Sequence, residues 1–355
     1  MKRRKSFFIL TLLTAFIFVL ITTSIQVSFA DEKSEEIEAL YRAAKKEGEV
    51  VVSVIAIKAD KLLKEFSKKY PGIKTVLIPR SAGKTTAKFR IETAAGRLPE
   101  FDVASVTGTT APNINPDEAA SADWAKLGVR SSMILSAGTP FDQKFLYWYD
   151  MIYIPSYNTK LVKPAQLPND WYSLLDKKWE GKIGIDPRGH GIRGRAYITD
   201  EKECLEYARK IATLKPIYAK RSGSQLTKAV AAGQVHIAFD DSLDDILVMQ
   251  KQGAPVDWIK SIQKIAADHK WMWTPTKAAH PNAAKLFMSW AISDEGAAVY
   301  EKLSNRGVLT KENNSKLSGV LKESGIKVYS EDNFDILKRR GRLSKDAARI
   351  FGTYK

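Results

Sequence analysis

The chain has 355 residues, 44% hydrophobic and 27% charged, which is enough apolar material to fold and more length than one ordinary core uses. Its 56 basic against 40 acidic residues give a formal charge of +16, a balance that favours anionic partners. The single cysteine, Cys204, excludes an intramolecular disulfide and a cysteine-built metal centre.

At the N-terminus Lys2-Arg3-Arg4-Lys5 precedes an uncharged, mostly apolar run from Phe7 to Ile21, then a polar stretch ending Ser28-Phe29-Ala30. A charged head, a short apolar core and a small-x-small end predict a secretory signal peptide over residues 1–30, cleaved after Ala30. The apolar run is shorter than the about 20 residues of a membrane span. No cysteine stands just after the predicted cut, so no lipid anchor is expected there. The mature protein is expected in a periplasm, with a remaining excess of about twelve positive charges, since the four cations of the head are removed. A periplasm supplies neither ATP nor reduced nicotinamide, which sets aside the enzyme classes that use them; no cofactor is expected. No Lys/Arg block with interleaved aromatics occurs, so nucleic acid is not an expected partner.

Ser34 to Glu47 reads as an amphipathic helix, with Ile37, Leu40, Tyr41 and Ala44 on one face and Gly48 as its stop. The β-branched run Val50 to Ala56 predicts a strand covered on both faces, as in parallel sheets. A helix follows from about Asp60 to Tyr70, carrying Leu62, Leu63 and Phe66 and ended by Pro71-Gly72. Then come strand Lys74 to Ile78, helix Thr85 to Ala95 and strand Phe101 to Ser105. This βαβαβ order predicts the opening half of a doubly wound α/β sheet, whose ligands sit at the carboxyl ends of the strands. Three segments lie there: Ile55 to Ala59, Ser81 to Thr85, and Val106 to Thr110. In the second, Ser81, Gly83, Lys84 and Thr85 run into a helix N-terminus whose free N–H groups favour an anion. Thr107 is the candidate from the third. Gly83-Lys84-Thr85 matches the end of a P-loop, but Ile78 stands where the first glycine belongs, so no nucleotide site is predicted.

An aromatic extended stretch from Phe145 to Tyr157 predicts the crossing into a second lobe. That lobe has a strand at Lys182 to Ile185 and then the loop Asp186 to Arg195. Gly189, Gly191 and Gly194 let this backbone approach a ligand closely. Arg188, Arg193 and Arg195 offer forked donors to carboxylate or phosphate, with His190 between them. A later strand, Val235 to Phe239, ends in Asp240-Asp241. These carboxylates would either face a cationic group or metal, or cap a helix beginning near Ser242. The chain returns near Ile262 to Trp273, and helices follow from Pro281 to Ser293 and Asp294 to Leu303. The expected division is lobe 1 from 31–150 plus about 268–300, lobe 2 from 151–267, and 301–355 as a C-terminal helical segment and basic tail. His190, His236, His269 and His280 lack the spacing of a helical metal site, and no metal is predicted. There is no Gly-x-Ser-x-Gly elbow and no cysteine beside a histidine, so no residue reads as catalytic and no enzyme is predicted.

Several stretches together carry a family resemblance. They are Leu40 to Gly48 leading into Val50-Val51-Val52, Phe66 to Lys74, Tyr157 to Val162, Trp179 to Ile183, Val230 to Gln234, Gly253 to Trp258, and His280 to Phe287. In this order they resemble the bacterial extracellular solute-binding proteins of family 1, the periplasmic receptors of ABC importers of the ferric-iron, thiamine and polyamine type. The resemblance implies a type II periplasmic-binding-protein fold, with two α/β lobes, each a mainly parallel sheet flanked by helices, joined by extended crossovers. Such a protein acts as a monomer, closes on a small-molecule solute and delivers it to an ABC permease in the membrane. Closure is a two-state equilibrium that solute shifts. Iron-binding members use adjacent tyrosines near a later strand of the second lobe. Here Phe239-Asp240-Asp241-Ser242 occupies that stretch, and no Tyr-Tyr pair exists. The Arg-rich loop and Lys84 favour a small organic or phosphorylated anion. The expected ligand set is Ser81, Gly83, Lys84, Thr85, Thr107, Arg188, His190, Arg193, Asp240 and Asp241. Ferric iron, a polyamine or thiamine stand as alternative solutes, and a solute sensor for a signalling receptor as an alternative role.

Overall fold

The computed structural model describes residues 35–135, 139–219, 223–309, 315–329 and 334–353; the predicted signal peptide lies outside them. Helix α1 (35–47) ends at Gly48, whose φ of +78° is a left-handed value that glycine adopts at no steric cost. Strand β1 (Glu49–Ser53), helix α2 (Ala59–Lys69), strand β2 (Lys74–Ile78), helix α3 (Ala82–Ala94) and strand β3 (Val103–Thr107) follow. The last three residues of the Val50–Ala56 run leave the sheet as the loop toward α2. Helix α3 starts three residues before Thr85, because Ser81 is its N-cap and accepts a hydrogen bond from the Lys84 N–H at 3.4 Å. Strand β1 pairs in parallel with both β2 and β3.

The aromatic stretch forms β4 (Leu146–Asn158), thirteen residues long. At about 3.3 Å per residue it spans roughly 40 Å, enough to run through both lobes. Beyond it lie β5 (Ile183–Ile185), α4 (His190–Gly194), α5 (Glu201–Thr213), β6 (Ile217–Tyr218), α6 (Gly223–Ala231), β7 (Ile237–Ser242), α7 (Leu243–Lys251) and β8 (Val256–Trp258). Strand β9 (Lys264–Trp273) returns, followed by α8 (Pro281–Ile292), α9 (Asp294–Ser304), α10 (Lys316–Glu323), β10 (Lys327–Tyr329) and α11 (Phe334–Ile350). One hydrogen-bonded sheet runs β2-β1-β3-β9-β4-β7-β5-β6, with β10 on β9 and β8 on β4. The outer strands of each lobe are parallel, whereas the crossing strands β4 and β9 pair with each other and with β3 and β7 in antiparallel fashion. The architecture is the two-lobe α/β fold expected.

Each lobe has its own core. The first gathers α1–α3, β1–β3, α8 and α9 around Trp273, which meets Phe89 and Phe101 edge-on at 5.0 and 5.6 Å between ring centroids. Edge-to-face aromatic pairs add about 0.5–1.5 kcal/mol each beyond the area they bury. The second lobe has two clusters, one on each side of its sheet, around Phe239 and Tyr207 and around Leu226 and Ile246.

The stretches that carried the family resemblance form the frame. Glu47 at the end of α1 accepts the backbone N–H groups of Asn282 (3.1 Å) and Ala283 (2.8 Å) and the Asn282 side-chain amide (2.6 Å), so it caps α8 from 235 residues away. Asp102 accepts from Val51 N and His280 N at 2.7 and 2.8 Å and pairs with His280 Nδ1 at 2.8 Å. Asn158 donates to Val230 O at 2.7 Å and accepts from Lys160 N and Leu161 N, tying the end of β4 to α6.

Candidate functional site

A cleft of about 700 Å3 opens between the lobes at the carboxyl ends of the parallel strands. That volume suits a small organic solute. From the first lobe come Ile55, Ile57, Ser81, Ala82, Gly83, Ser105, Thr107, Thr109 and Thr110. Residues 105 and 107 share one face of β3 through the two-residue strand period, and the Thr107–Thr110 turn is closed by the Thr107 N–H donating to Thr110 Oγ1 at 2.9 Å. The same period brings Tyr149, Met151 and Tyr153 of β4 into the floor. From the second lobe come Arg188, His190, Arg193, Ser224, Ser242 and Asp245; Lys270 of β9 and Arg306 complete the lining.

The Arg188–Arg193 loop is built around buried carboxylates. Asp186 accepts from the Arg188 backbone N–H and from its guanidinium Nε, both at 2.9 Å, and from the outer guanidinium nitrogen at 2.5 Å. Gly191 donates its N–H to Asp240 at 2.9 Å. A Cβ at 191 would collide with the Phe239 ring and come within 2.7 Å of Asp240 Cβ, so only glycine lets this turn lie on β7. His190 packs on Tyr153 with ring centroids 5.0 Å apart, and its Nδ1 has no hydrogen-bond partner. Burial, and then Arg193, push its pKa well below the ordinary imidazole value, so it is neutral at pH 7.

The charge centre of the cleft is Asp268. Its Oδ2 accepts from Arg193 and from Lys270, each at 2.8 Å, and its Oδ1 lies 3.3 Å from the Arg340 guanidinium. Burial alone would raise the Asp268 carboxyl; Lys270, Arg193 and Arg340 hold it well below the usual carboxylate range. Burial, only partly offset by Asp268 and reinforced by Arg193, brings Lys270 down to about 8. One carboxylate therefore faces three cations, two of which line the cleft. Arg193 is 9% exposed, and its Nε is buried without a partner. Buried cations in excess of their counter-ions are costly, and an anion seated beside them relieves that cost. At the other end Arg306 bonds Asp244 at 3.0 Å and lies over the Tyr149 ring at 5.4 Å. Asp245 lines the cleft there, its carboxyl pushed up to about 6 by burial and by Asp244.

Of the expected ligand set, Ser81, Gly83, Thr107, Arg188, His190 and Arg193 meet in this cleft. Lys84 is exposed on α3 and outside its lining. Thr85 is buried with its hydroxyl 2.8 Å from Ser53 Oγ, joining α3 to β1. Asp240 and Asp241 are strand residues, since β7 extends to Ser242, and neither caps the next helix; Ser242 is the N-cap. Asp240 accepts the N–H groups of Asp186 and Gly191, and Asp241 accepts from Ser156, Thr227 and the Ser242 N–H. Burial pushes Asp241 up to about 7 and, with Asp186, Asp240 well above the ordinary value. Lys270, Arg306, Tyr149 and Asp245 escaped the sequence reading. The alternation Asp268-His269-Lys270 on a strand was the one available signal for Lys270; nothing local marked Arg306. Among the described residues no group of three or more His, Cys, Asp or Glu side chains is arranged to hold a metal ion.

Solved structures of similar shape belong to binding proteins. Iron-bound HitA from Pseudomonas aeruginosa superposes with a TM-score of 0.69 at 15% identity, covering 85% of this chain and 99% of that one. AfuA from Actinobacillus pleuropneumoniae, a periplasmic binding protein with exogenous fructose-6-phosphate bound, gives 0.64 at 19% identity over 86% and 97%. In sequence, an uncharacterized protein of Haemophilus influenzae is 26% identical over 273 residues, 73% of this chain and 77% of its own length. The sequence pattern of one family, described as bacterial extracellular solute-binding protein, matches residues 61–317, most of the two-lobe frame around the cleft, and the chain belongs to that family.

Proposed function

We propose that this protein is the periplasmic receptor of an ABC importer, and that it captures a small organic or phosphorylated anion between its lobes for delivery to a membrane permease. The observation that carries the anion reading is the Arg193–Asp268–Lys270 centre, where cations outnumber the single carboxylate and Arg193 Nε lacks a partner. Gly83 at the start of α3, the Thr107–Thr110 turn and Ser81 would supply neutral donors from the opposite lobe, and Arg188 and His190 would flank the anion. Tyr149, Tyr153, Ile55 and Ile57 give the organic part apolar surface. Export by the signal peptide, cleavage after Ala30 and a monomeric state belong to the same proposal, as does the division into lobes at about residues 150 and 268. The role is capture and release, with no bond made or broken.

The test is a thermal-shift and calorimetric panel on mature protein stripped of carried-over solute, with organic acids, sugar phosphates, inorganic phosphate, ferric citrate, polyamines and thiamine. The expected result is a selective response to an acid or phosphate, lost in Arg193→Ala. A response confined to ferric salts or amines overturns the anion assignment, and turnover of the bound solute overturns the receptor role.

A further inference from the structure

The family match ends at residue 317, so the C-terminal helix α11 lies beyond it. Its basic composition suggests a solvated tail, yet Leu337, Arg340 and Leu343 are each 1% exposed or less. Leu337 belongs to the first lobe's core and fills the space beside Gly108, 2.8 Å from where a Cβ would stand. Leu343, Ala347 and Phe351, at i, i+4 and i+8, belong to the second lobe's core. One helix is thus shared between two cores.

Between these faces α11 grips the segment that carries Arg188, His190 and Arg193. Ser344 Oγ donates to Arg188 O at 2.7 Å, Arg339 to Ala196 O at 2.7 Å, and Thr353 Oγ1, just past the helix, to Pro187 O at 2.8 Å. Arg340 donates to the Tyr197 hydroxyl at 2.6 Å and reaches Asp268 at 3.3 Å, the carboxylate shared with Arg193 and Lys270. Arg342 is bidentate on Glu201 at 2.9 and 2.6 Å. The attachment to the second lobe is therefore multiple, polar and apolar, while the attachment to the first centres on Leu337 at Gly108, beside the groove lined by Thr109, Pro112 and Asn113. If the lobes rotate apart about β4 and β9, α11 travels with the second lobe and the Leu337 contact breaks first.

We propose that α11 is an interlobe strap: anchored on the second lobe, it braces the Arg188–Arg193 segment and latches onto the first lobe through Leu337, biasing the receptor toward its closed form before solute arrives. The proposal rests on the two-lobe receptor reading but not on which solute is bound. Its test uses full-length mature protein without solute. Spin labels on cysteines replacing the exposed Leu98 and Ile217, one in each lobe, report the opening, while the buried Cys204 escapes labelling. The Leu337→Ser variant should show a longer and broader label distance than the parent while melting in a single cooperative transition. An unchanged distance overturns the strap. Should Leu337→Ser fail to fold, the pair Thr109→Cys and Gly341→Cys decides, because a Cβ on Gly341 would lie 4.0 Å from Thr109 O. Ready disulfide formation without solute, with a narrowed label distance, supports the latch; failure to cross-link overturns it. Solute binding is measured separately, so loss of the anion reading would leave this outcome intact.

Discussion

Asp268 concentrates the electrostatics of the cleft on one carboxylate, and the side chains around it have separable effects. A charge-assisted hydrogen bond contributes about 1.5–3 kcal/mol, so Arg193→Ala and Lys270→Met should each weaken binding of the preferred anion by more than tenfold in calorimetry. Unchanged affinity in both would remove the anion from this end of the cleft. Lys270 also sets a pH dependence. Its free-state pKa of about 8 lies below the ordinary lysine value, so above pH 8 it loses its proton and an anion must bind with proton uptake. Affinity should fall toward tenfold per unit above pH 8, and Lys270→Met should abolish that limb while leaving the acid side of the profile, where Asp245 titrates, in place. Asp245 has the opposite sign: with its pKa at about 6 it is ionised at pH 7 and repels an anion. Asp245→Asn should tighten anion binding several-fold at pH 7 and leave it unchanged at pH 5.

At the scale of elements, the helices and covered strands were legible where a local rule produces them. Leu62, Leu63 and Phe66 mark α2 by helical spacing, and Gly48 stops α1 by its left-handed φ. The end of β7 was not legible, because the partners that satisfy its carboxylates lie far off in sequence. Asp241 takes hydroxyls from Thr227 and Ser156, 14 and 85 residues away, so what reads locally as a helix cap is a buried polar network. The neighbouring Asp240, which accepts the Gly191 N–H, leaves no room for a side chain at 191. Gly191→Ala, driven into Phe239 and Asp240, should cost about 1–3 kcal/mol and lower the melting temperature by several degrees. A melting point equal to the parent's would show that the α4 turn stands off β7 in solution.

For the whole molecule, solute that binds only the closed arrangement both stabilises and compacts it. At one hundred times its dissociation constant a cognate anion should add about 2.7 kcal/mol to unfolding stability. Scattering should then show a smaller radius of gyration, and less shrinkage in the parent than in Leu337→Ser, whose starting state is more open. Equal shrinkage in both would mean that the strap carries no closed-state bias.

The sequence by itself determined the α/β class, the family and the frame, because helical spacing, β-branched runs and glycine stops are local signals, and Glu47, Asn158 and Asn282, which tie distant elements together within each lobe, lie in the stretches that carry the resemblance. It also marked the loops at the strand ends, since glycine, serine and arginine there have few other uses. The tertiary structure alone decided which of those loops meet, and which charges they enclose. Lys270 and Arg306 come from the returning strand and the segment after α9, and Arg340 from a helix that composition presents as a basic tail. Charge excess around a buried carboxylate is a property of three-dimensional proximity, and residues 193, 268, 270 and 340 acquire it only when β9, α4 and α11 pack together.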